Sequence, residues 1–213
     1  MSGPVPAART VVFDLGGVLV DWDPRHLYRQ LLDSDSEVEA FLDEIGFADW
    51  NSAMDAGDGT WAESVAALGA RFPHRSELIA AYPSRFGETL SGPIEETVAV
   101  LRDLHRRGTP LYALTNWSAE TFPVARSRFE FLELFDGILV SGEEGVAKPD
   151  PAVFALLVGR FGLQPSSTVF VDDRQVNVDA AERAGLRGLL FTDPATLYRD
   201  LSRLGLLGGG GPG

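Results

Sequence analysis

Near its start the chain runs apolar through Val11, Val12 and Phe13, stops at Asp14, and continues into Leu15-Gly16-Gly17. A short β-branched and aromatic run predicts a buried strand. The paired glycines predict a sharp turn or a close approach of backbone to ligand. The period then changes. Pro24 occupies an early helical position ahead of Leu27, Leu31 and Leu32. Ser36 and Glu39 form a capping-box pattern around Val38, Phe41, Leu42 and Ile45, with Gly46 as the stop. Residues 50–58 are rich in Asp and Gly and predict a turn region. Thr60 and Glu63 repeat the capping box ahead of Val65, Leu68 and Phe72, which join Trp61 at helical spacing. Residues 76–86 read as one more helix. No strand pattern falls within 23–89.

From Ser91-Gly92-Pro93 onward the pattern alternates. Helices are predicted over 94–107, 118–129, 151–161, 176–184 and 194–204, and strands over 111–115, 137–140, 168–171 and 188–191. Strands alternating with helices predict βαβ units: an α/β fold with a Rossmann-like, mostly parallel sheet and helices on both faces. The first strand has no partner unless it joins that sheet. The core is therefore expected to be discontinuous, as 1–22 and 91–207, around an inserted helical cap at 23–90. Residues 208–213, nearly all glycine, are expected to form a disordered tail.

Composition narrows the class. A net charge of −13 repels a phosphate backbone, and the densest cationic pair, Arg106-Arg107, falls where a helix C-terminus favours it. No nucleic-acid partner is expected. With no cysteine, neither a disulfide framework nor a cysteine zinc site can form. No apolar run approaches the length of a membrane span, and residues 1–10 lack a signal-peptide core, so the expected location is cytoplasmic, away from membranes.

The predicted strand ends carry the polar chemistry: Asp14, Thr115-Asn116, Lys148 within Gly145-Val146-Ala147-Lys148-Pro149-Asp150-Pro151, and Asp172-Asp173. A parallel sheet gathers such ends on one edge. Two carboxylates about 4 Å apart repel by roughly 4 kcal/mol at an effective dielectric of about 20, so a cation or a proton must relieve them. Magnesium suits hard oxygen ligands, and together with a lysine it would favour the ionised, nucleophilic form of Asp14.

These residues, in this order, resemble the four motifs of the haloacid dehalogenase (HAD) superfamily. Phe13-Asp14-Leu15-Gly16-Gly17-Val18 is similar to the first, and Leu114-Thr115-Asn116 to the second. Lys148-Pro149-Asp150-Pro151 with Phe154 resembles the third, and Val171-Asp172-Asp173 with Asn177 and Gly185 the fourth. The resemblance implies a phosphatase acting on a small phosphorylated metabolite, with a sugar phosphate as one candidate. Asp14 would form an aspartyl-phosphate. Asp14, Asp172 and the Gly16 carbonyl would bind Mg2+, and Thr115 and Asn116 would hold phosphoryl oxygens. Lys148 would bind the phosphoryl group and neutralise charge during transfer. Asp173 would support the metal, and Asn177 would orient the loop. Oligomeric state is left open.

One departure stands out. Many phosphatases of this superfamily carry an acid two positions after the nucleophile, where this chain has Gly16. The Asp-Leu-Gly form resembles a branch that includes sugar-phosphate phosphatases and the phosphatase lobe of epoxide hydrolases. Either the leaving group is good, or Asp21 or a cap residue shuttles the proton. Two rivals remain: a 2-haloacid dehalogenase using Asp14 without metal, and a non-catalytic phosphate- or partner-binding member. Trp22, Trp50 and Trp117 are candidates for the pocket wall, and Trp61 for cap packing. Asp55 and Asp58 read as turn residues, and His26, His74 and His105 as surface groups. Hinges for cap closure are expected in loops at 20–21 and 91–93.

Overall fold

The computed structural model describes residues 7–208. The expected glycine tail lies outside them except for Gly208, whose carbonyl accepts a hydrogen bond from the Tyr198 hydroxyl at 2.9 Å. In chain order, β1 (Thr10–Phe13) and β2 (Val20–Trp22) are followed by five helices. These are α1 (Pro24–Tyr28), α2 (Asp35–Ile45), α3 (Phe47–Asp55), α4 (Trp61–Arg71) and α5 (Ser76–Ser84). Then come β3 (Leu90–Pro93), α6 (Glu95–Arg106), β4 (Leu111–Thr115), α7 (Phe122–Arg128), β5 (Gly137–Val140) and the single turn α8 (Ser141–Glu144). The chain closes with α9 (Pro151–Phe161), β6 (Thr168–Asp172), α10 (Gln175–Arg183), β7 (Arg187–Leu190) and α11 (Pro194–Arg203).

Five strands form one parallel sheet in the order β5-β4-β1-β6-β7, with β1 at its centre. Alternation along each strand divides the core into two layers. Val11 and Phe13 of β1, with Val169 and Val171 of β6, face one side, where Val98, Leu101 and Leu104 of α6 and Leu197 and Leu201 of α11 pack. Val12, Leu114 and Phe170 face the other, against Val153, Phe154 and Leu157 of α9 and Ala180 and Ala181 of α10. The α/β architecture with helices on both faces is as expected. The chain crosses from the β4 side of β1 to the β6 side, so ligands are expected at the carboxyl ends of those strands. No helix among the described residues is long and apolar enough to cross a membrane.

Three local expectations are corrected. The segments expected to be hinge loops, at 20–21 and 91–93, instead form an antiparallel pair, β2 with β3, interrupted by an irregularity between Asp21 and Trp22. Helix α2 is capped by Ser34, whose hydroxyl accepts from the Glu37 amide at 3.2 Å, rather than by Ser36. The predicted turn over 50–58 is largely helix α3, which buries Phe47, Asn51 and Met54 at helical spacing. The Thr60–Glu63 capping box forms as expected.

A run of edge-on rings ties α1–α5 to the sheet. Tyr28 meets Phe41 at 4.8 Å, Trp50 meets Trp61 at 5.0 Å, Trp61 meets Tyr82 at 5.3 Å, and Phe86 meets Trp117 at 5.8 Å. Such pairs add roughly 0.5–1.5 kcal/mol each beyond the area they bury. Trp61 also donates its ring N–H to Ser118 at 3.0 Å and its backbone N–H to Glu120 at 2.8 Å. Its assignment to packing therefore holds.

Candidate active site

Because β1 and β6 run in parallel register with Phe13 beside Val171, the residues that follow them, Asp14 and Asp172, emerge side by side. The Asp14 amide donates to the Val171 carbonyl at 2.8 Å, and the Leu15 amide donates to the Asp14 carboxylate at 2.7 Å. Lys148 is the only lysine in the chain. Its ammonium is buried between the two aspartates, 2.8 Å from Asp14 Oδ2 and 2.7 Å from Asp172 Oδ2. Asn116, just past β4, grips the Lys148 backbone from both sides: its amide nitrogen donates to the Lys148 carbonyl and its oxygen accepts the Lys148 N–H, each at 2.9 Å.

Asp172 is held as firmly. It accepts the Arg174 amide at 2.9 Å and the Asn177 side-chain amide at 3.0 and 3.1 Å. Asn177, expected to orient the loop, is buried and donates to the Asp172 carboxylate. Asp173 is exposed, and its carboxylate offers an oxygen within 4.8 Å of those of Asp14 and Asp172. It rests against Gly17, where φ is +74° and a Cβ would stand 2.6 Å from Asp173 Oδ2. Only glycine fits both that backbone and that neighbour.

The electrostatics of this cluster call for a cation. Burial pushes the Asp14 carboxyl up to about 7; Lys148 opposes the shift, while Asp172 and Asp173 add to it. Burial, and then Asp172, raise Asp173 as well. Burial works to lower the Lys148 ammonium, but Asp14 and Asp172 outweigh it and its net shift is upward. One ammonium thus faces three carboxyl groups, of which Asp14 and Asp173 are pushed upward. Three carboxylate oxygens this close, all hard donors and one open to solvent, fit a magnesium-sized cation with waters completing its shell.

Gly17→Ala is expected to weaken magnesium binding about tenfold or more by displacing Asp173, and to cost about 1–2 kcal/mol of stability from the left-handed backbone alone. Magnesium titration calorimetry and a melting curve read the two effects separately.

The cluster opens into a cleft of ≈ 530 Å³ whose far wall is α3. Phe47, Ala48, Asn51, Ser52 and Asp55, one face of that helix, line it opposite Asp14, Gly16, Asn116 and Lys148. Thr115 is buried at the end of β4 and is not among the lining residues. Among the tryptophans, Trp22 lines the cleft and Trp117 lines a smaller recess continuous with it. Trp50 instead packs within the ring cluster and donates to Ser64 at 2.6 Å.

Asp21, a candidate proton shuttle, is engaged elsewhere. Its carboxylate accepts from the Ser91 hydroxyl and lies 3.3 Å from His26, contacts that hold its pKa below the usual range, with the Ser91 hydrogen bond contributing most. The residue that sequence reasoning missed is Asp55, assigned to a turn. Its only sequence signal was its spacing four residues after Asn51, which becomes visible once 47–55 is known to be helical.

Comparison with known proteins places these features in context. The family model described as haloacid dehalogenase-like hydrolase matches residues 8–185. A sesquiterpene phosphatase (astK) of Aspergillus oryzae is 29% identical over 198 residues, spanning 92% of this chain and 96% of its own. Two other relatives are much longer, and the chain spans 19% and 36% of their lengths. Among solved structures, a HAD-family enzyme of Bacteroides thetaiotaomicron in complex with magnesium superposes with a TM-score of 0.68 at 21% identity, covering 91% of this chain and all of that one. The L-2-haloacid dehalogenase of Xanthobacter autotrophicus gives 0.62 at 17% identity, covering 92% of this chain and 83% of its own. At such identities the structural likeness is one of fold.

Proposed function

The chain belongs to the haloacid dehalogenase-like hydrolase family, and from that premise we propose that it hydrolyses a small phosphate monoester with magnesium, through a covalent aspartyl-phosphate on Asp14. The observation that carries this reading is the Lys148 ammonium within 2.8 Å of both Asp14 and Asp172, with Asp173 completing a three-carboxylate cluster. Phosphoryl transfer asks little covalent chemistry of a protein. It needs an in-line nucleophile and fixed positive charge around the transferring group.

In this reading Asp14 attacks phosphorus and Lys148 neutralises charge on the nucleophile and the phosphoryl oxygens. The second side-chain N–H of Asn116, left over from its grip on Lys148, meets a phosphoryl oxygen, while Thr115, buried outside the cleft lining, is given no direct contact with the group. Asp14, Asp172 and the Gly16 carbonyl would hold the cation, with Asp173 in support. When bound, the cation supplies further positive charge to the phosphoryl oxygens. Residues 23–90 form the cap that covers the cleft and selects the ester. The Trp22 face in the cleft suits a ring-bearing ester such as a sugar phosphate.

The dehalogenase alternative draws on Gly16, since halide leaves without a proton. Against it, a haloacid carboxylate entering here would meet Asp172 and Asp173 as well as Asp14.

The test is phosphate release from a panel of sugar, nucleotide, hydroxy-acid and prenyl phosphates, with magnesium and with chelator. Release that requires magnesium is expected. Chloride release from a 2-haloacid without metal would select the dehalogenase instead.

Stability gives an independent check. A carboxyl whose folded value is raised to about 7 contributes stability that is fully present below the unfolded value of 3.8 and is lost as pH rises through about 7. Metal-free protein should therefore lose stability across that window, and magnesium should restore it where protons no longer compete. Saturating magnesium is expected to raise Tm by about 5 °C or more near pH 8, and by less than about half of that near pH 5.5. Melting curves at the two pH values check this.

A further inference from the structure

Gly16 leaves the phosphatase reading without an acid at its usual place, and the structure brings a carboxyl group to the same cleft from the opposite side. Asp55 ends α3 on the helix face that lines the cleft. It also lines a recess of ≈ 40 Å³, bounded by Gly16, Trp22, Tyr82 and Trp117, with room for a water or a leaving-group oxygen.

The placement of Asp55 is built. Its carboxylate accepts from the Asn51 amide at 2.7 Å and from the Ser118 backbone N–H. Asn51 is fixed in turn by the Tyr82 hydroxyl at 2.8 Å. The Asp55 carbonyl accepts from the Ser141 hydroxyl, which itself accepts the Trp117 amide at 2.9 Å. Two residues on, Gly57 takes a φ of +81°, and a Cβ there would stand 3.0 Å from the Gly142 carbonyl. The end of α3 is thus docked closely on α8, the single turn that follows β5. A second observation concerns a residue that lines the same recess: the Trp117 ring N–H is buried without a hydrogen-bond acceptor.

We propose that Asp55 is the catalytic acid and base of this enzyme, reaching from α3 across the cleft to the reacting oxygen that an acid at position 16 would serve. The proposal rests on the phosphatase reading above. In the first step Asp14 Oδ forms a bond to phosphorus while the phosphorus–oxygen bond to the leaving group breaks. The electron pair goes to that oxygen, and the Asp55 carboxyl gives it a proton, releasing the alcohol. In the second step water adds to phosphorus and gives a proton to the Asp55 carboxylate. The bond to Asp14 breaks, returning its carboxylate and inorganic phosphate.

The local chemistry suits both halves. Burial pushes the Asp55 carboxyl up to about 7; the Ser118 N–H and the Asn51 amide draw it down, Asp14 pushes it up and Lys148 down. The C-terminal end of α3 adds to the upward side, since a helix dipole disfavours negative charge there. A group titrating near neutrality can serve as acid and then as base.

The test compares glycerol phosphate, a poor leaving group, with p-nitrophenyl phosphate, a good one, using magnesium-loaded protein. It reads kcat/KM, which reports formation of the phosphoenzyme. In Asp55→Asn the glycerol ester is expected to lose about 10²- to 10⁴-fold, and the nitrophenyl ester less than about tenfold. Gly16→Asp/Asp55→Asn is expected to recover glycerol-ester activity, because a Cβ at position 16 meets no atom within 4 Å. Wild-type protein gives a second reading that needs no variant: a solvent deuterium effect on kcat/KM for the glycerol ester and none for the nitrophenyl ester. Equal losses on the two esters, or no loss on either, would overturn the role of Asp55 while leaving the phosphatase standing. No phosphate from either ester with wild-type protein would overturn both.

Discussion

Asp14→Asn is expected to remove phosphate release, lowering kcat by about 10⁴-fold or more, while the protein remains folded. Asparagine has the same shape and keeps one oxygen for the Leu15 amide that now donates to Asp14 at 2.7 Å. The backbone bond from Asp14 to Val171 is untouched, and Lys148 keeps Asp172 at 2.7 Å. What goes is the carboxylate that both lines the cleft and contacts Lys148, at 2.8 Å. Three crowded carboxyl groups become two, so the metal-free melting temperature should change by no more than a few degrees. Steady-state phosphate release and a melting curve on the same preparation separate loss of chemistry from loss of fold. Substantial residual turnover in a folded variant would contradict the assignment of Asp14.

Lys148→Met is expected to cost far more stability. Methionine matches much of the lysine stem but leaves Asp14 and Asp172 without their shared cation. Breaking a buried ion pair from one side costs about 3–5 kcal/mol, because the remaining charge has no partner. For a chain of this size that is a fall in Tm of about 10 °C. The loss should be largest at alkaline pH. Carboxyl groups that have lost their lysine shift upward, and such groups contribute stability below their unfolded value that is lost as pH rises through the folded one. Saturating magnesium should return part of the loss. Asn116 grips the backbone of residue 148 and not its side chain, so the local loop is expected to survive the substitution. Melting curves at acid and alkaline pH, with and without magnesium, read all of this, and phosphate release should fall in the same variant.

The sheet was legible in the chain because its strands are short apolar runs, and β1, β4 and β6 lead directly into polar groups at Asp14, Thr115-Asn116 and Asp172. Asp14, Lys148 and Asp172 were likewise legible, since the ends of parallel strands must share an edge. Helix α3 was not. Asp49, Asn51, Ser52 and Asp55 have turn preferences, and Gly57 and Gly59 follow closely. Tertiary burial of Phe47, Asn51 and Met54 outweighed those preferences.

The β2–β3 pair escaped for a different reason. Strands of three and four residues containing Gly92 and Pro93 carry no alternation long enough to read. Asp55 was legible only as a turn residue because nothing local reveals that the end of α3 rests on Ser141 and Gly142, or that Asp55 and Gly16 line one recess. Asn116 shows the reverse, a residue whose motif suggested phosphate binding and whose amide is largely occupied in fixing Lys148.

The central claim is a covalent bond between phosphorus and one carboxylate, and acid quenching during turnover tests it most directly. Wild-type protein mixed with magnesium and a phosphate monoester that it hydrolyses, quenched within the first turnover and digested, should yield the peptide containing Asp14 heavier by one HPO3, with fragmentation placing the group on that residue. Phosphate release with Asp14 unmodified at every quench time, or with the group on another side chain, would contradict the account.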